Sequence, residues 1–108
     1  MATEGFAVTV AGDGALRISG RLTFDTVEAV RAAARIALGS ARSSGEVVTF
    51  DLDAVEQADS AGLALLVEWR RTALPRRGRI HFRGAPPALR SIAGMCGVAD
   101  HLFGKRRV

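Results

Sequence analysis

The residues best placed to do chemistry lie in the middle of the chain, where an acidic and a hydroxyl side chain stand side by side. Asp59 and Ser60 precede Gly62 and a leucine-rich run. Acidic and hydroxyl residues before such a run are typical of a helix N-terminus. The Ser60 hydroxyl there could cap the helix by accepting a hydrogen bond from the backbone N–H of Gly62 or Leu63, which is worth about 1 kcal/mol. It could also accept a phosphate or contact a partner protein.

Other chemistry-bearing residues do not form the pattern of an active site. An enzyme needs a nucleophile with a base, paired carboxylates or clustered metal ligands. His81, His101 and the single cysteine Cys96 lack the spacing of metal ligands. The acidic residues between Asp51 and Asp59 lack the glycine-bearing loop of a calcium site. We therefore expect no catalysis, no cofactor and no metal.

The charge is divided unevenly along the chain. Residues 1–68 contain five arginines and ten carboxylates, whereas residues 69–108 contain ten basic residues and one carboxylate. A basic half can face nucleic acid, an acidic protein or anionic lipid, but a solvated arginine-rich surface explains it as well. Because aromatic residues do not interleave with the basic ones and no nucleic-acid-binding signature is present, we expect no nucleic-acid partner.

Length and hydropathy predict one domain that stays in the cytoplasm. The chain has 108 residues, of which 48% are hydrophobic, and this is enough for one core over residues 1–108. No apolar run approaches the roughly 20 residues of a membrane-spanning helix. The first residues lack the charged-then-apolar order of a signal peptide. A single cysteine also fits a reducing compartment.

The elements that must position Ser60 alternate between strands and helices. Period-2 patterns and buried apolar runs predict four strands, at residues 6–10, 15–20, 46–52 and 79–83. Gly12–Gly14 predicts a hairpin turn between the first two strands, and a loop is expected from residue 53 to Gln57. Helical spacing predicts three helices, at residues 23–38, 60–74 and 84–95, and a short turn at 98–103. This order predicts an α/β fold, a mixed four-stranded sheet with three to four helices stacked on it.

The first and second helices carry further signals. Thr23 or Asp25 is expected to cap the first helix and Gly39 to end it. On the second helix, apolar residues cover an arc of roughly 200°, twice the roughly 100° that faces a core. Leu65 lies at the edge of this arc on the side of Ala61, so we expect an exposed strip of these two residues beside Ser60, suited to docking. Alternatively, the sheet and the neighbouring helices cover the whole arc.

The segment from Phe50 to Leu66, with its motif Asp59-Ser60-Ala61-Gly62-Leu63-Ala64-Leu65-Leu66, resembles the signature of the STAS domain family. The resemblance extends from Leu16 to Ala93 and implies the fold of anti-sigma factor antagonists and sulfate transporter tails. Within the family, the motif followed by Glu68-Trp69 is most similar to MlaB-like subunits. These are non-catalytic cytoplasmic proteins that bind and support the ABC ATPase, MlaF-like, of a phospholipid transporter maintaining outer-membrane lipid asymmetry.

This resemblance also implies partners and contact residues. The ATPase would lie beneath a membrane permease, so the protein would be peripheral to the inner membrane without spanning it. The contact surface would be Asp59, Ser60, Ala61, Gly62 and Leu65. The alternative is an anti-sigma factor antagonist that binds an anti-sigma kinase. There the phosphorylated serine usually precedes the motif glycine directly, and Ala61 occupies that position here. Ser60 is the neighbouring hydroxyl and stays open as a phosphorylation site.

Overall fold

The computed structural model describes residues 5–41, 47–73 and 79–104. These residues form four strands, β1 (Phe6–Val10), β2 (Leu16–Leu22), β3 (Val47–Ala58) and β4 (Arg79–Arg83). They also form four helices, α1 (Val27–Ala41), α2 (Ser60–Ala73), α3 (Pro87–Met95) and α4 (Ala99–Phe103). Pro87 is the first residue of α3. Proline is well tolerated there, because the backbone N–H that it lacks would have no partner within the first turn of the helix.

The strands make one sheet in the order β1-β2-β3-β4. β1 and β2 are an antiparallel hairpin, whereas β2 pairs with β3, and β3 with β4, in parallel. Parallel neighbours need a crossover connection, and α1 and α2 supply the two crossovers. The prediction of a mixed four-stranded sheet with helices stacked on it is confirmed.

The core lies where the helices cover the sheet. Leu16, Ile18 and Leu22 of β2 are fully buried, because β2 alternates between this face and an outer one. Phe50 of β3 stacks on Trp69 of α2, with ring centroids 4.5 Å apart. This contact fixes α2, and therefore Ser60, relative to the centre of the sheet.

The strand β3 is longer than predicted. It continues through Ala58, where a loop was expected from residue 53 to Gln57, because β2 offers it a parallel partner up to the pairs Arg21↔Gln57 and Leu22↔Ala58. Two register shifts between β2 and β3 interrupt the alternation that would have revealed the strand in the sequence. The result is that β3 runs to within two residues of Ser60.

The bounds of α1 also differ from the prediction. Thr23–Thr26 form a turn before the helix, in which the Thr26 N–H donates to the Thr23 carbonyl over 2.9 Å. The Thr23 hydroxyl donates to the Asp25 carboxylate, so these two side chains bond to each other instead of capping α1. Gly39 does not end α1, which continues to Ala41, because one glycine costs a helix only about 1 kcal/mol.

The remaining boundaries agree more closely. Strand β2 extends two residues beyond its expected end at Gly20, and the turn expected at 98–103 is the helix α4. The expected helix end at Leu74 and the expected strand start at Glu46 lie outside the described residues. Within the described ranges, none of the helices combines the length and the apolar character needed to cross a membrane.

Candidate functional site

The start of α2 is capped by Asp59 and not by Ser60. Asp59 Oδ1 accepts hydrogen bonds from the backbone N–H groups of Ala61, at 2.9 Å, and Gly62, at 3.2 Å. Its carbonyl accepts the N–H of Leu63 at 3.0 Å. The expectation that Ser60 caps α2 is therefore wrong, because the helix begins at Ser60 and the capping position is the residue before it.

Asp59 also joins α2 to the turn that precedes α1. Its Oδ2 atom accepts the backbone N–H of Phe24 at 3.0 Å, and its own N–H approaches the Leu22 carbonyl at 3.4 Å. One carboxylate thus holds two loops together at the end of β2 and β3. Ser60 and the Thr23–Thr26 turn share this end of the sheet.

Gly62 and Leu65, two of the expected contact residues, are buried in the domain. A Cβ atom on Gly62 would lie 2.1 Å from the Leu22 carbonyl oxygen, so this glycine permits the close approach of α2 to β2. Leu65 is only 1% exposed. The expected exposed strip at Leu65 is wrong, because α2 packs against α1, α3 and α4 as well as β3 and β4, and this packing buries the Leu65 side chain.

Ser60 is exposed and Ala61 is half-buried against the core. Of the five expected contact residues, Asp59 is half-buried and holds the site together, and Ser60 is the most accessible. The structure thus brings Asp59, Ser60 and Ala61 together at the surface and turns Gly62 and Leu65 inward.

A shallow open groove runs from Ser60 along α2. Its walls are formed by residues on one face of α2 and by the connection between α3 and α4: Ser60, Leu63, Ala64, Val67, Glu68, Arg71, Cys96 and Val98. Sequence reasoning missed Ala64 and Val67. The signal was present, since positions i+4 and i+7 from Ser60 share its helical face.

One edge of the groove carries an ion-pair network that links α1 to α2. Arg31 Nη2 lies 2.9 Å from Glu68 Oε1, and Arg31 Nη1 contacts Glu28. The hydrogen bond from Arg31 lowers the pKa of Glu28, and Glu28 followed by Glu68 raises the pKa of Arg31. The charges on Glu28 and Arg31 are therefore present at neutral pH.

The site has no catalytic equipment among the residues that the structure describes. No group of three or more His, Cys, Asp or Glu side chains there is arranged to hold a metal ion. The Ser60 hydroxyl has no hydrogen-bond partner in this part of the chain, and so no base to activate it. The amides of Ala61 and Gly62 that would bind a phosphate are already taken by Asp59.

Two comparisons with known proteins match the chain over most of its length. A family model described as Mlab, STAS domain, matches residues 7–104. A solved structure of the anti-sigma factor antagonist SpoIIAA in its unphosphorylated form superposes with a TM-score of 0.64 at 20% identity, covering 87% of this chain and 82% of that chain. No curated protein sequence matches. The two matches indicate no enzymatic family and bear out the expected fold.

Proposed function

The chain belongs to the STAS domain family, and we propose that it is a non-catalytic subunit that binds and supports the ABC ATPase of a phospholipid transport system. The ATPase docks on the start of α2 and on the groove beside it. The observation that carries the proposal is an exposed Ser60 on a firmly capped helix start, next to an open groove with apolar walls. In such a system the protein is a peripheral component at the cytoplasmic side of the inner membrane, beneath the permease.

The helix start is a rigid platform for binding. Asp59 ties it to β2 and to the Phe24 amide, Gly62 lets it pack directly on Leu22, and the Phe50–Trp69 stack holds the helix to the sheet. A surface that is already ordered loses little conformational entropy when a partner binds. Binding energy is thus available to stabilise the partner.

The groove has the chemistry of a protein contact. Ala64, Val67 and Val98 supply small apolar walls, and Glu68 and Arg71 supply charges of both signs at one end. An apolar centre with a polar rim is the usual arrangement of a protein interface. A helix of the ATPase with small apolar residues fits this groove.

Support for the ATPase follows from mass action. A protein that binds only the folded or assembled form of a partner stabilises that form, and the effect grows with its concentration relative to the dissociation constant. The STAS subunit can therefore raise ATPase activity without touching nucleotide. The description of the matching family model as Mlab supports this choice of partner.

Arginine substitutions at two alanines, one inside the groove and one outside it, test the docking surface. Ala64 lies in the groove and Ala32 lies on α1, and both are exposed in mid-helix. When the full-length chain is co-expressed with the ATPase subunit, Ala64→Arg should abolish co-purification because its side chain fills the groove. Ala32→Arg should co-purify as the wild type does. Retention of the ATPase by the folded Ala64→Arg variant would remove the proposed surface.

A second candidate function is antagonism of an anti-sigma factor. The structural likeness to SpoIIAA and the exposed Ser60 hydroxyl favour it. It requires phosphate transfer from an anti-sigma kinase to Ser60, or binding of that kinase. Intact-mass spectrometry of the wild type and of Ser60→Ala after incubation with such a kinase and ATP tests it. A gain of about 80 Da, the mass of one phosphoryl group, in the wild type alone would establish the modification.

A further inference from the structure

A large aromatic side chain is exposed beside the candidate docking site. Phe24 is 79% exposed, although phenylalanine normally contributes its area to a core. The other large apolar side chains that are exposed in the described part of the chain are Val10, Ile36 and Met95. Phe24 is the aromatic member of this set, and its backbone N–H is the group that Asp59 Oδ2 holds.

The turn that carries Phe24 is fixed on both sides. The Thr23 N–H donates to Thr26 Oγ1 at 3.0 Å, and the Thr26 hydroxyl donates to the Arg21 carbonyl at 2.8 Å. Thr26 itself is buried. With the Asp59 bond, these contacts hold the Phe24 backbone in one conformation while its ring stays in solvent. An aromatic ring on a rigid backbone is typical of a binding hot spot, because little entropy is lost when it is buried.

The surroundings of Phe24 are acidic at the surface. Arg21 is paired with Asp25 at 2.7 Å, and Arg31 is paired with Glu28 and Glu68. In both cases the carboxylate is the more exposed partner: Asp25 is 62% and Arg21 40% exposed, and Glu28 is 80% and Arg31 25% exposed. Hydrogen bonds from Thr23 and then Arg21 lower the pKa of Asp25, so it is ionised at neutral pH. A partner at Phe24 therefore meets an apolar ring with exposed carboxylates nearby in the chain, Asp25 at the next position and Glu28 one helical turn on.

We propose that Phe24 is an anchor residue that inserts into an apolar pocket of the partner protein, and that lysine or arginine side chains line the rim of that pocket. This inference rests on the proposed function, since the partner is the ATPase that docks at α2. It adds a second contact, on the Thr23–Thr26 turn, and defines the chemistry of the opposing surface. The exposed carboxylates Asp25 and Glu28 favour a basic protein surface and disfavour an anionic lipid surface.

The experiment measures the dissociation constant between the full-length chain and the purified ATPase subunit by titration calorimetry. Phe24→Ala should weaken binding roughly 30-fold or more, the range of a hot-spot residue. Val10→Ala is the matched control, since Val10 is an exposed apolar residue of β1 that pairs with Leu16, at the end of the hairpin far from Phe24, and the affinity of this variant should match the wild type. Thermal unfolding should be unchanged by either substitution, because both side chains are exposed.

A photo-crosslinking phenylalanine at position 24 identifies the pocket directly. Crosslinks to apolar residues of the ATPase that are flanked by Lys or Arg support the anchor. A wild-type affinity for Phe24→Ala, with Ala64→Arg still disrupting binding, overturns the anchor and leaves the proposed function standing. If the wild-type chain does not bind the ATPase, both the anchor and the proposed function are contradicted. The anchor is also overturned if the wild-type protein binds anionic phospholipid vesicles, and Phe24→Ala loses this binding while its affinity for the ATPase is unchanged.

Discussion

At the scale of single residues, the site depends on a division of labour between Asp59 and Ser60. Asp59 uses both carboxylate oxygens, one for the first amides of α2 and one for the Phe24 amide. Ser60 makes no comparable bond in the described structure and is exposed. The pair looks alike in sequence, since both are good capping residues, and only the start of the helix decides which of them caps.

Replacing Asp59 should therefore destabilise the domain, whereas replacing Ser60 should not. Asp59→Ala removes the cap and leaves three backbone N–H groups without their acceptor, so we expect a loss of about 1–3 kcal/mol in the free energy of unfolding. Ser60→Ala is the matched control and should stay within about 0.5 kcal/mol of the wild type. Urea unfolding measures both. Equal losses in the two variants would mean that Ser60 shares the capping role.

The burial of Leu65 could not be predicted from a helical wheel. The angular width of the apolar arc was visible in the sequence, but which neighbours cover it depends on how α1, α3 and α4 pack around α2. Those long-range contacts bury Leu65 and leave Ala64 and Val67 beside the groove. Local signals predicted the start of α2 as the site and show which residues share a helical face with Ser60. That this face stays open could not be predicted, because it depends on how the other helices pack.

At the scale of elements, the close packing of α2 on β2 sets the distance between the docking surface and the sheet. Gly62 lies against the Leu22 carbonyl, so any side chain at residue 62 must push the two elements apart. The four strands were predictable because alternation is a local property. The end of β3 was not, because its pairing with β2 depends on register shifts between distant segments.

Two helical glycines give a matched test of this packing. Gly62→Ala should lower the free energy of unfolding by about 1–3 kcal/mol, since its Cβ meets backbone atoms that cannot move aside. Gly94→Ala, in α3, meets nothing within 4 Å and should raise the stability by about 0.4–1 kcal/mol. Thermal or urea unfolding compares them. Equal stability of the two variants would contradict the close approach of α2 to β2.

The ion pair between Arg31 and Glu28, within α1, predicts a pH dependence. Arg31 lowers the pKa of Glu28 below its ordinary value of 4.5, so the stabilising contribution is present above that value and is lost as the pH falls through the lowered pKa. In Arg31→Met, the Glu28 pKa should move back toward 4.5. Carbon-13 NMR titration measures it, with Asp25 as the control because Thr23 and Arg21 set its pKa. An unchanged Glu28 pKa in the variant would contradict the pairing.

At the scale of the whole molecule, the basic C-terminal half has a structural role in the part described. Arg70 lies over the Phe82 ring and donates to the Leu102 carbonyl at 2.7 Å, and Arg90 lies over Phe103. Arg83 is paired with Asp13 and Asp51. These arginines hold α4 and the end of β4, so they account for part of the charge asymmetry without a nucleic-acid or lipid partner.

Within the described residues, the fold presents an outer sheet face and a helical face that carries the groove, next to the turn with the exposed Phe24. The order of strands and helices predicted that helices cover the sheet, because a crossover between parallel strands must lie over it. The groove arises only when α3 and α4 return to α2, a meeting of segments that are distant in the sequence. In our proposal, the ATPase docks at the helical face.

Methyl NMR spectroscopy of the labelled full-length chain, titrated with the unlabelled ATPase subunit, tests this docking. The methyl signals of Ala64, Val67 and Val98 in the groove should shift or broaden at the first additions. Those of Ala7 and Val10, on the exposed part of β1, should stay unchanged. Perturbation of the β1 signals with unchanged signals in the groove would contradict docking at α2.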